Sequence, residues 1–367
     1  MRFVVERDAL AEAVAWIARS LPSRPVIPVL SGLLLQAAAD GLTLSCFDYE
    51  VSARISIDAD VTEPGTALVP GRLLAEITRS LPGHPVEVDD KDDVTLTCGP
   101  ASFNLVTLPV GEYPRLPELP RLAGTVDGGV LATAIGQVTP AASRDDTLPV
   151  ITGVNVEIED DMITLVATDR YRLAVRELRW NPAQPDLSTA LLVPARVLGD
   201  TARALTSGAE VSISLGGDSL IGFAGAGRQT TTRLLSGEYP KYSALLPSEF
   251  SATAELAAGS FAEAVKRVAL VAERNTPVRL AFSQGQLVLE AGASEEAQAV
   301  EIIEAAFDGE DLQIAFNPQY LLDGIGAIDS DTARISFTSP TKPAVITGKA
   351  EHEPDFRYVL MPIRSAG

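Results

Sequence analysis

The sequence predicts an α+β protein made of three copies of one domain, each with two helices packed on antiparallel sheets. Two observations carry this prediction: short motifs recur at one spacing, and the same order of helical and strand-like patterns fills each interval. The chain has 367 residues, so each of three copies would span about 122 residues. We expect the domains at 1–120, 121–248 and 249–367.

The clearest recurring motif ends a strand and opens a helix. Val69-Pro70-Gly71-Arg72-Leu73-Leu74 recurs as Val193-Pro194-Ala195-Arg196-Val197-Leu198 and, more faintly, as Phe316-Asn317-Pro318-Gln319-Tyr320-Leu321. A second motif, Gly111-Glu112-Tyr113-Pro114, returns as Gly237-Glu238-Tyr239-Pro240. The motifs keep one order at intervals of 123 to 126 residues, which is typical of a repeat protein.

Each copy is predicted to open with a helix and to continue into strands. Apolar residues three or four apart predict this helix in the first and third copies: Leu10, Val14, Ile17, Leu21, Phe261, Val265 and Val268. Alternating apolar and polar residues at 42–45 and 156–158 then predict strands with one buried face. This order favours an α+β fold over a βαβ wind.

A second helix is predicted directly after the first recurring motif. In copy one its apolar stripe comprises Leu73, Leu74, Ile77 and Leu81, and basic residues lie opposite. The basic positions on the helix faces of the three copies are Arg72, Arg79, Arg196, Arg203, Lys266 and Arg267. One interpretation is a solvent face with ion pairs along the helix. On a surface shared by the copies, these residues would instead contact phosphates without distinguishing bases.

Composition limits the classes of protein that the chain can belong to. Lys and Arg total 29 against 49 Asp and Glu, a formal net charge of -20, which argues against a basic nucleic-acid-binding surface. Cys46 and Cys98 are too few for a disulfide framework and favour a reducing compartment, so we expect a cytoplasmic protein. No signal peptide and no apolar run long enough for a membrane span are expected.

The sequence offers little catalytic chemistry. His84 and His352 lie in polar loops, and no metal-ligand spacing or phosphate-binding loop is found. The acidic run 89–93 is interpreted as a solvated turn, and a metal-dependent enzyme built on such turns is kept as an alternative. We expect a protein without catalytic activity, cofactor or metal.

Domain size bears on how such a chain could hold DNA. A domain of about 122 residues has a diameter of roughly 35 Å, so three in a ring leave a hole of only about 3 Å radius and six leave about 17 Å. A B-DNA duplex has a radius of about 10 Å. Encirclement therefore requires two chains joined head to tail.

Four motifs carry a resemblance to a known family over the whole chain. They are Ser143-Arg144-Asp145-Asp146-Thr147-Leu148-Pro149-Val150-Ile151-Thr152-Gly153, Ala167-Thr168-Asp169-Arg170-Tyr171-Arg172-Leu173-Ala174-Val175-Arg176-Glu177, Phe316-Asn317-Pro318-Gln319-Tyr320-Leu321 and Tyr358-Val359-Leu360-Met361-Pro362-Ile363-Arg364. The sequence resembles the bacterial DNA polymerase III β sliding clamps, in the variants of high-GC Gram-positive bacteria. The resemblance implies a DNA clamp fold and a homodimeric ring of six domains, with helices lining the pore. It implies a processivity factor that encircles duplex DNA without reading its sequence and that does not contact membranes.

The resemblance also implies a pocket between the second and third domains. There, Gln-x-x-Leu/Met-x-Phe-like motifs of the DNA polymerase III α subunit, the clamp loader, other polymerases and repair proteins would bind. Matching positions are Ile151, Thr168, Tyr171, Arg172, Leu173, Pro240, Leu245, Asn317, Tyr320, Val359, Met361, Pro362 and Arg364. Arg172 and Arg364 are expected to meet a carbonyl or carboxylate of the partner. Arg24 matches a DNA-contacting position, which adds to the six basic residues of the helix faces.

One departure from the family pattern leaves an alternative open. Many family members end in Met-Pro-x-Arg-Leu, whereas Ser365-Ala366-Gly367 follows Arg364 here. The difference suggests a specialised second copy with an altered, for instance inhibitor-resistant, pocket. A repeat-built scaffold that does not bind DNA is the remaining alternative. In a ring, the acidic excess would lie on the outer surface and keep DNA away from it.

Overall fold

The helices have the arrangement expected of a threefold repeat. The computed structural model describes residues 1–91, 93–204, 210–217, 219–247, 249–272, 276–292, 297–349 and 355–363. Two helices fall in each predicted copy: α1 Arg7–Ile17, α2 Gly71–Ser80, α3 Gly128–Val138, α4 Ala195–Ala204, α5 Ala258–Ala269 and α6 Pro318–Gly326.

All pairings between the strands are antiparallel. The strands are β1 Arg2–Val5, β2 Gly32–Ala38, β3 Gly41–Phe47, β4 Val51–Ile57, β5 Asp60–Glu63, β6 Gly65–Pro70, β7 Val86–Asp90, β8 Val94–Cys98, β9 Ala101–Leu105, β10 Arg121–Asp127, β11 Gly153–Glu159, β12 Met162–Thr168, β13 Arg172–Arg179, β14 Asn181–Pro182, β15 Ser188–Pro194, β16 Glu210–Gly216, β17 Leu220–Gly225, β18 Arg228–Arg233, β19 Ala252–Ala257, β20 Val278–Ser283, β21 Gly285–Ala291, β22 Ala299–Asp308, β23 Leu312–Phe316, β24 Thr332–Phe337, β25 Ala344–Gly348 and β26 Phe356–Leu360.

The first of two compact units comprises Met1–Ala132, Trp180–Pro185 and Asp200–Leu234. It holds a five-stranded sheet, in the order β5-β1-β7-β8-β9, and a nine-stranded sheet, in the order β14-β10-β16-β17-β18-β4-β3-β2-β6. Strand β4 of the first copy pairs with β18 of the second, and we call this pairing the first joint. The apolar sides of α1 and α2 contribute to a core with both sheets of the first copy, as amphipathic helices do.

The second unit comprises Thr133–Arg179, Asp186–Gly199 and Leu235–Gly367. Its sheet has twelve strands in the order β15-β11-β12-β13-β26-β25-β24-β19-β22-β21-β20-β23. Strand β13 of the second copy pairs with β26 of the third, and we call this pairing the second joint. Each joint thus continues one hydrogen-bonded sheet from one copy into the next.

Most of the local predictions are confirmed. All the residues that predicted the opening helices are buried, although α1 ends at Ile17 and a 3₁₀ turn, Ala18–Ser20, leads to Leu21. The stripe assigned to α2 is wrong at one end, because Leu73 is 46% exposed while Leu74 and Ile77 are buried. Leu73 follows Arg72 and lies at the edge of the apolar side of α2. No neighbouring element that the structure describes covers it enough to bury it. Among the described residues, no helix is long and apolar enough to cross a membrane.

Candidate functional site

A tight turn between β12 and β13 shapes the centre of the candidate site. The Asp169 carboxylate accepts hydrogen bonds from the backbone N–H groups of Tyr171 and Arg172, at 3.0 and 3.1 Å. The Thr168 hydroxyl donates to the Arg172 carbonyl at 2.7 Å. Arg170 has a φ of 78°, a left-handed conformation that these bonds hold in place. The turn leaves the Tyr171 side chain exposed.

Arg172 joins the surrounding elements from inside the protein. Its guanidinium is 7% exposed and donates to Asp169 at 3.0 Å and to the Tyr358 hydroxyl at 3.2 Å. It also bonds Asp323 and the Pro140 carbonyl. Burial alone would lower the pKa of this guanidinium, but Tyr358 and Asp323 together raise it above its ordinary value. These four hydrogen bonds hold the guanidinium within the protein, and a contact of Arg172 with a partner stays a prediction.

Helix α6 presents the aromatic side of the site. Asn317 caps the helix: its side-chain oxygen accepts from the N–H groups of Gln319 and Tyr320 at 2.9 and 3.1 Å. The Arg172 guanidinium lies 4.3 Å from the centre of the Tyr320 ring, within cation–π distance. The Tyr320 and Tyr171 rings are stacked with centroids 6.2 Å apart. The cap and the arginine together fix one wall of the site.

An apolar cluster lies under the second joint. Leu173 is paired with Val359 across the joint, and both are buried with Val166, Val175 and Val345. Tyr239, Tyr242 and Leu246 pack against this cluster. Burial raises the pKa of the Tyr239 phenol well above its ordinary value, so this side chain stays neutral. This buried cluster forms an apolar surface, which we call the floor of the site.

Exposed apolar side chains surround this floor. Leu245 is 51% exposed in the 3₁₀ turn Ser243–Leu245, Pro240 is exposed, and Met361 is 44% exposed. The Met361 N–H donates to the Tyr171 carbonyl at 2.9 Å. Exposed large apolar groups above a buried apolar floor are typical of a binding surface.

The remaining predicted pocket residues lie on neighbouring segments of the same unit. Ile151 is buried in the 3₁₀ turn Pro149–Thr152. Pro362 borders a surface cavity of about 380 Å³. The cavity is lined by Arg279, Gln313, Ile314, Ala315, Pro340, Thr341, Pro362 and Ile363. Arg364 lies outside the described residues.

The sequence-based prediction of the pocket missed most of the buried residues that support the pocket from the protein interior. Asp323, Tyr239 and Tyr242 are examples. A signal was available for Asp323, because an acid, Glu76 or Asp200, occupies the same helix position in the other copies. Tyr239 belongs to the recurring Gly-Glu-Tyr-Pro motif. Their contacts could not be predicted, because the sheet order that brings them together is set over long distances in the sequence.

The predicted DNA-facing residues of the first unit are exposed. Arg24 lies between two 3₁₀ turns, Ala18–Ser20 and Pro28–Ser31. Arg72 and Arg79 lie on the solvent-exposed side of α2. Arg72 donates to the Pro22 carbonyl at 3.1 Å. Arg203 of α4 is paired with Asp200.

The basic residues of the second unit are also exposed, and acids accompany them. Arg196 lies in the first turn of α4. On α5, Lys266 is paired with Glu263 at 2.8 Å, and Arg267 is paired with Glu301 of β22. The bond to Glu301 raises the pKa of Arg267. Exposed pairs of this kind contribute little to stability.

Two aspartates of the acidic run 89–93 form ion pairs with cationic groups of the protein itself. Asp89 faces Arg2 and Lys91 at 3.8 Å, and Asp90 faces the N-terminal ammonium at 3.9 Å. Within the described ranges, no group of three or more His, Cys, Asp or Glu residues could hold a metal ion.

The repeats on shared sheets identify the class of protein. The whole chain superposes on the sliding clamp of Bacillus subtilis with a TM-score of 0.91 and 27% identity, covering 100% of this chain and 99% of the other. A sliding clamp from Pseudomonas aeruginosa bound to griselimycin gives a TM-score of 0.91 and 29% identity over 100% of both chains. By class, the protein is a DNA sliding clamp.

Sequence comparisons narrow the class to a family. The models of the DNA polymerase III beta subunit match in order: the N-terminal domain at 1–117, the central domain at 125–241 and the C-terminal domain at 243–364. The beta sliding clamp of Streptomyces coelicolor is 58% identical over 100% of both chains. The chain belongs to the DNA polymerase III β subunit family, in its high-GC Gram-positive form.

Family membership defines the general function. The protein is a processivity factor of DNA polymerase III, a DNA-replication protein that has no catalytic activity of its own. A beta sliding clamp homolog, GriR of Streptomyces muensis, is 47% identical over 99% of both chains. The identity to this homolog is lower than that to the Streptomyces coelicolor clamp, so the comparisons do not favour the alternative of a specialised copy.

Proposed function

We propose that two copies of the chain close head to tail into a ring of six domains around duplex DNA. The domains are those at 1–120, 121–248 and 249–367. The ring holds the DNA polymerase III α subunit, the clamp loader, other polymerases and repair proteins through linear motifs, in the cytoplasm. The exposed apolar side chains around the floor of the second joint are the observation that carries the partner assignment.

Two free sheet edges support ring closure. Strand β9 ends the five-stranded sheet. Residues 299–305 of β22 pair only with β21 among the described strands. These edges belong to the first and third copies. Val106 follows β9, Val300 and Ile302 lie on β22, and all three are exposed. A free edge with apolar side chains is suited to pairing with another chain, and two such contacts related by a twofold axis close a ring.

The floor and its exposed border suit a short apolar motif. Leu173 and Val359 form the floor, and Leu245 and Met361 can close over a leucine or phenylalanine of the partner. Burying one such side chain contributes about 1.5–3 kcal/mol, and the flexible thioether of Met361 can adapt to different partners. Tyr171 and Tyr320 offer a stacked aromatic wall to the polar part of the motif.

The basic helix faces suit a loose hold on DNA. Arg72, Arg79, Arg196, Arg203, Lys266, Arg267 and the loop residue Arg24 can contact phosphates without distinguishing bases. The neighbouring acids, such as Asp200 and Glu263, compete with phosphate. Weak, salt-sensitive contacts allow sliding.

Peptide binding tests the pocket directly. A hexapeptide of the Gln-x-x-Leu-x-Phe pattern should bind once per chain, and Met361→Asp should weaken it at least tenfold by placing a charge at the apolar border. Val130→Asp is a matched control, since Val130 is exposed to nearly the same degree, 43% against 44%, but lies in α3. Equal affinities for the peptide in both variants would contradict the pocket assignment.

Retention on DNA tests the ring. After loading by a clamp loader, nicked circular DNA should keep the protein, while linear DNA should lose it from the ends. Equal retention on both forms would contradict encirclement.

A further inference from the structure

The two joints have the same backbone construction. In the first joint, the Asp48 carboxylate accepts from the N–H groups of Glu50 and Val51 at 3.0 and 2.7 Å, and Tyr49 has a φ of 75°. In the second joint, Asp169 corresponds to Asp48 and Arg170 corresponds to Tyr49, and the φ of Arg170 is 78°. The turns match position by position, so Val51 corresponds to Arg172 and every later residue of β4 has a counterpart in β13.

The floors of the joints differ in their side chains. The cross-strand pair Leu173–Val359 of the second joint corresponds to Ser52–Thr231 in the first. Behind it, Val345 is the neighbour of Val359, whereas Gly222 is the neighbour of Thr231. The first joint therefore has a more polar floor with one side chain missing.

A residue of the same unit fills the space over Gly222. A Cβ added to Gly222 would lie 2.7 Å from Cδ1 of Leu119 and 3.2 Å from Cδ of Pro120. Leu119 is half-buried. Through the recurring Gly-Glu-Tyr-Pro motif, Leu119 corresponds to Leu245, which is 51% exposed beside the open floor of the second joint.

The segment that carries Leu119 is held firmly. Tyr113 accepts a hydrogen bond from the Phe47 N–H at 2.8 Å, and burial raises the pKa of its phenol. Tyr113 and Leu116 also pack on the buried cluster of Leu30, Leu34 and Leu68. At its other end the segment continues into β10, which pairs with β16 from Arg121 onward. Because both ends are held, Leu119 competes for its site at an effective concentration of the order of millimolar.

We propose that the first joint is a second motif pocket, which the chain itself occupies with segment 113–120 and its anchor, Leu119. The ligand class is a short peptide with a leucine or phenylalanine anchor, as at the second joint, and the inference rests on the function proposed for that joint. Gly222 makes room for the internal anchor. Ser52 and Thr231 offer less apolar surface than Leu173 and Val359, so an external peptide binds more weakly here.

Removing the internal anchor tests the proposal. With the same hexapeptide, isothermal titration calorimetry should give one site per chain for the unaltered protein. Leu119→Ala should give two, the second at least tenfold weaker. Gly222→Val is the matched control: it displaces Leu119 but fills the space, so one site remains. A single site in Leu119→Ala up to millimolar peptide would overturn the proposal. Absence of binding to the unaltered protein would instead contradict the function proposed for the second joint.

A double-mutant cycle tests the seating of Leu119 without any ligand. Gly222→Val should lower the melting temperature, because the new side chain and Leu119 occupy the same space. In Leu119→Ala/Gly222→Val the valine should take the vacated space, so the double variant should melt no lower than Gly222→Val alone. Strictly additive losses would show that the two residues do not share this space and would overturn the proposal.

Discussion

Arg172 illustrates how one side chain can organise a binding site without being exposed to the ligand. It connects the β12–β13 turn through Asp169, helix α6 through Asp323 and strand β26 through Tyr358. Its ring contact with Tyr320 fixes an aromatic wall. A buried cation of this kind is stable only while its partners remain, so the site and the fold depend on the same contacts.

Arg172→Ala should therefore cost stability as well as binding. Loss of the guanidinium leaves Asp169 and Asp323 without their buried partner, and we expect a loss of about 3–5 kcal/mol in the free energy of unfolding. Arg179→Ala, at the exposed end of the same strand, should cost less than about 1 kcal/mol. Denaturant unfolding measures both. Peptide affinity should also fall in Arg172→Ala, because Tyr320 loses its support, and equal stability of the two variants would refute this role of Arg172.

Glu255 predicts an acid limit to stability. Lys349 and Arg334 hydrogen-bond its carboxylate, at 2.7 and 3.1 Å from Nζ and Nε, and hold its pKa below the ordinary value of 4.5. The stabilisation is complete above that value and is lost as the pH falls through the lower folded-state pKa. Glu255→Gln should thus lower the melting temperature at pH 7, and this effect should shrink progressively as the pH falls below 4.5. Glu87→Gln, an exposed change on β7, controls for the lost charge, and a pH-independent difference would contradict the assignment.

Helix α6 matters because it delivers Tyr320 to the site. Its sequence signal is strong: Asn317 caps it and Pro318 occupies its first turn, an arrangement that favours helix initiation. The other helix-opening positions of this motif hold Pro70 and Pro194, which have no side chain able to cap. Among the three motif positions, the one in the third copy thus carries a side-chain cap, at the wall of the site.

Removing the cap should affect both the helix and the pocket. Asn317→Ala should cost about 1 kcal/mol of unfolding free energy and weaken peptide binding, because the first turn carries Tyr320. Asn317→Asp keeps an accepting oxygen and should restore most of both. Thermal unfolding and calorimetric titration check the pair. An alanine variant with unchanged stability and affinity would show that the cap is dispensable.

Part of this architecture could be predicted from local sequence and part could not. The spacing of Leu10, Val14 and Ile17 predicts α1 because helix periodicity depends only on near neighbours. The pairing of Arg172 with Asp323 joins distant parts of the chain. The sequence also does not reveal whether the arginine next to exposed Tyr171 points into the protein or towards solvent. The repeat and family motifs therefore predicted the location of the site, while its internal bonds required the structure.

At the scale of the whole molecule, charge and sheet edges act together. A net charge of -20 opposes general binding of DNA, so the proposed contacts depend on basic residues that lie close together. The free edges at β9 and β22 are the two at which we propose that a second chain adds to a sheet. The domain boundaries at 120 and 248 remain predictions of the repeat.

A charge on the free edge should separate the two chains. Ile302 is 61% exposed on β22, and Ile302→Asp should turn a dimer of about twice 38.7 kDa into a monomer by burying an unpaired carboxylate. Val26→Asp is the matched control, because Val26 is exposed but lies in a loop of the first unit. Sedimentation velocity distinguishes the two masses, and peptide binding should persist in both variants. A dimeric Ile302→Asp would exclude this edge.

The continuous sheets also determine where a closed ring can be opened mechanically. Each joint between copies consists of five consecutive residue pairs. Their hydrogen bonds lie across the strands and resist shear together. A pulling force along the chain would have to break such a set at once, whereas the contact between two chains has no covalent continuity. In the proposed ring, the contact between the two chains is therefore weaker under such a force than either joint.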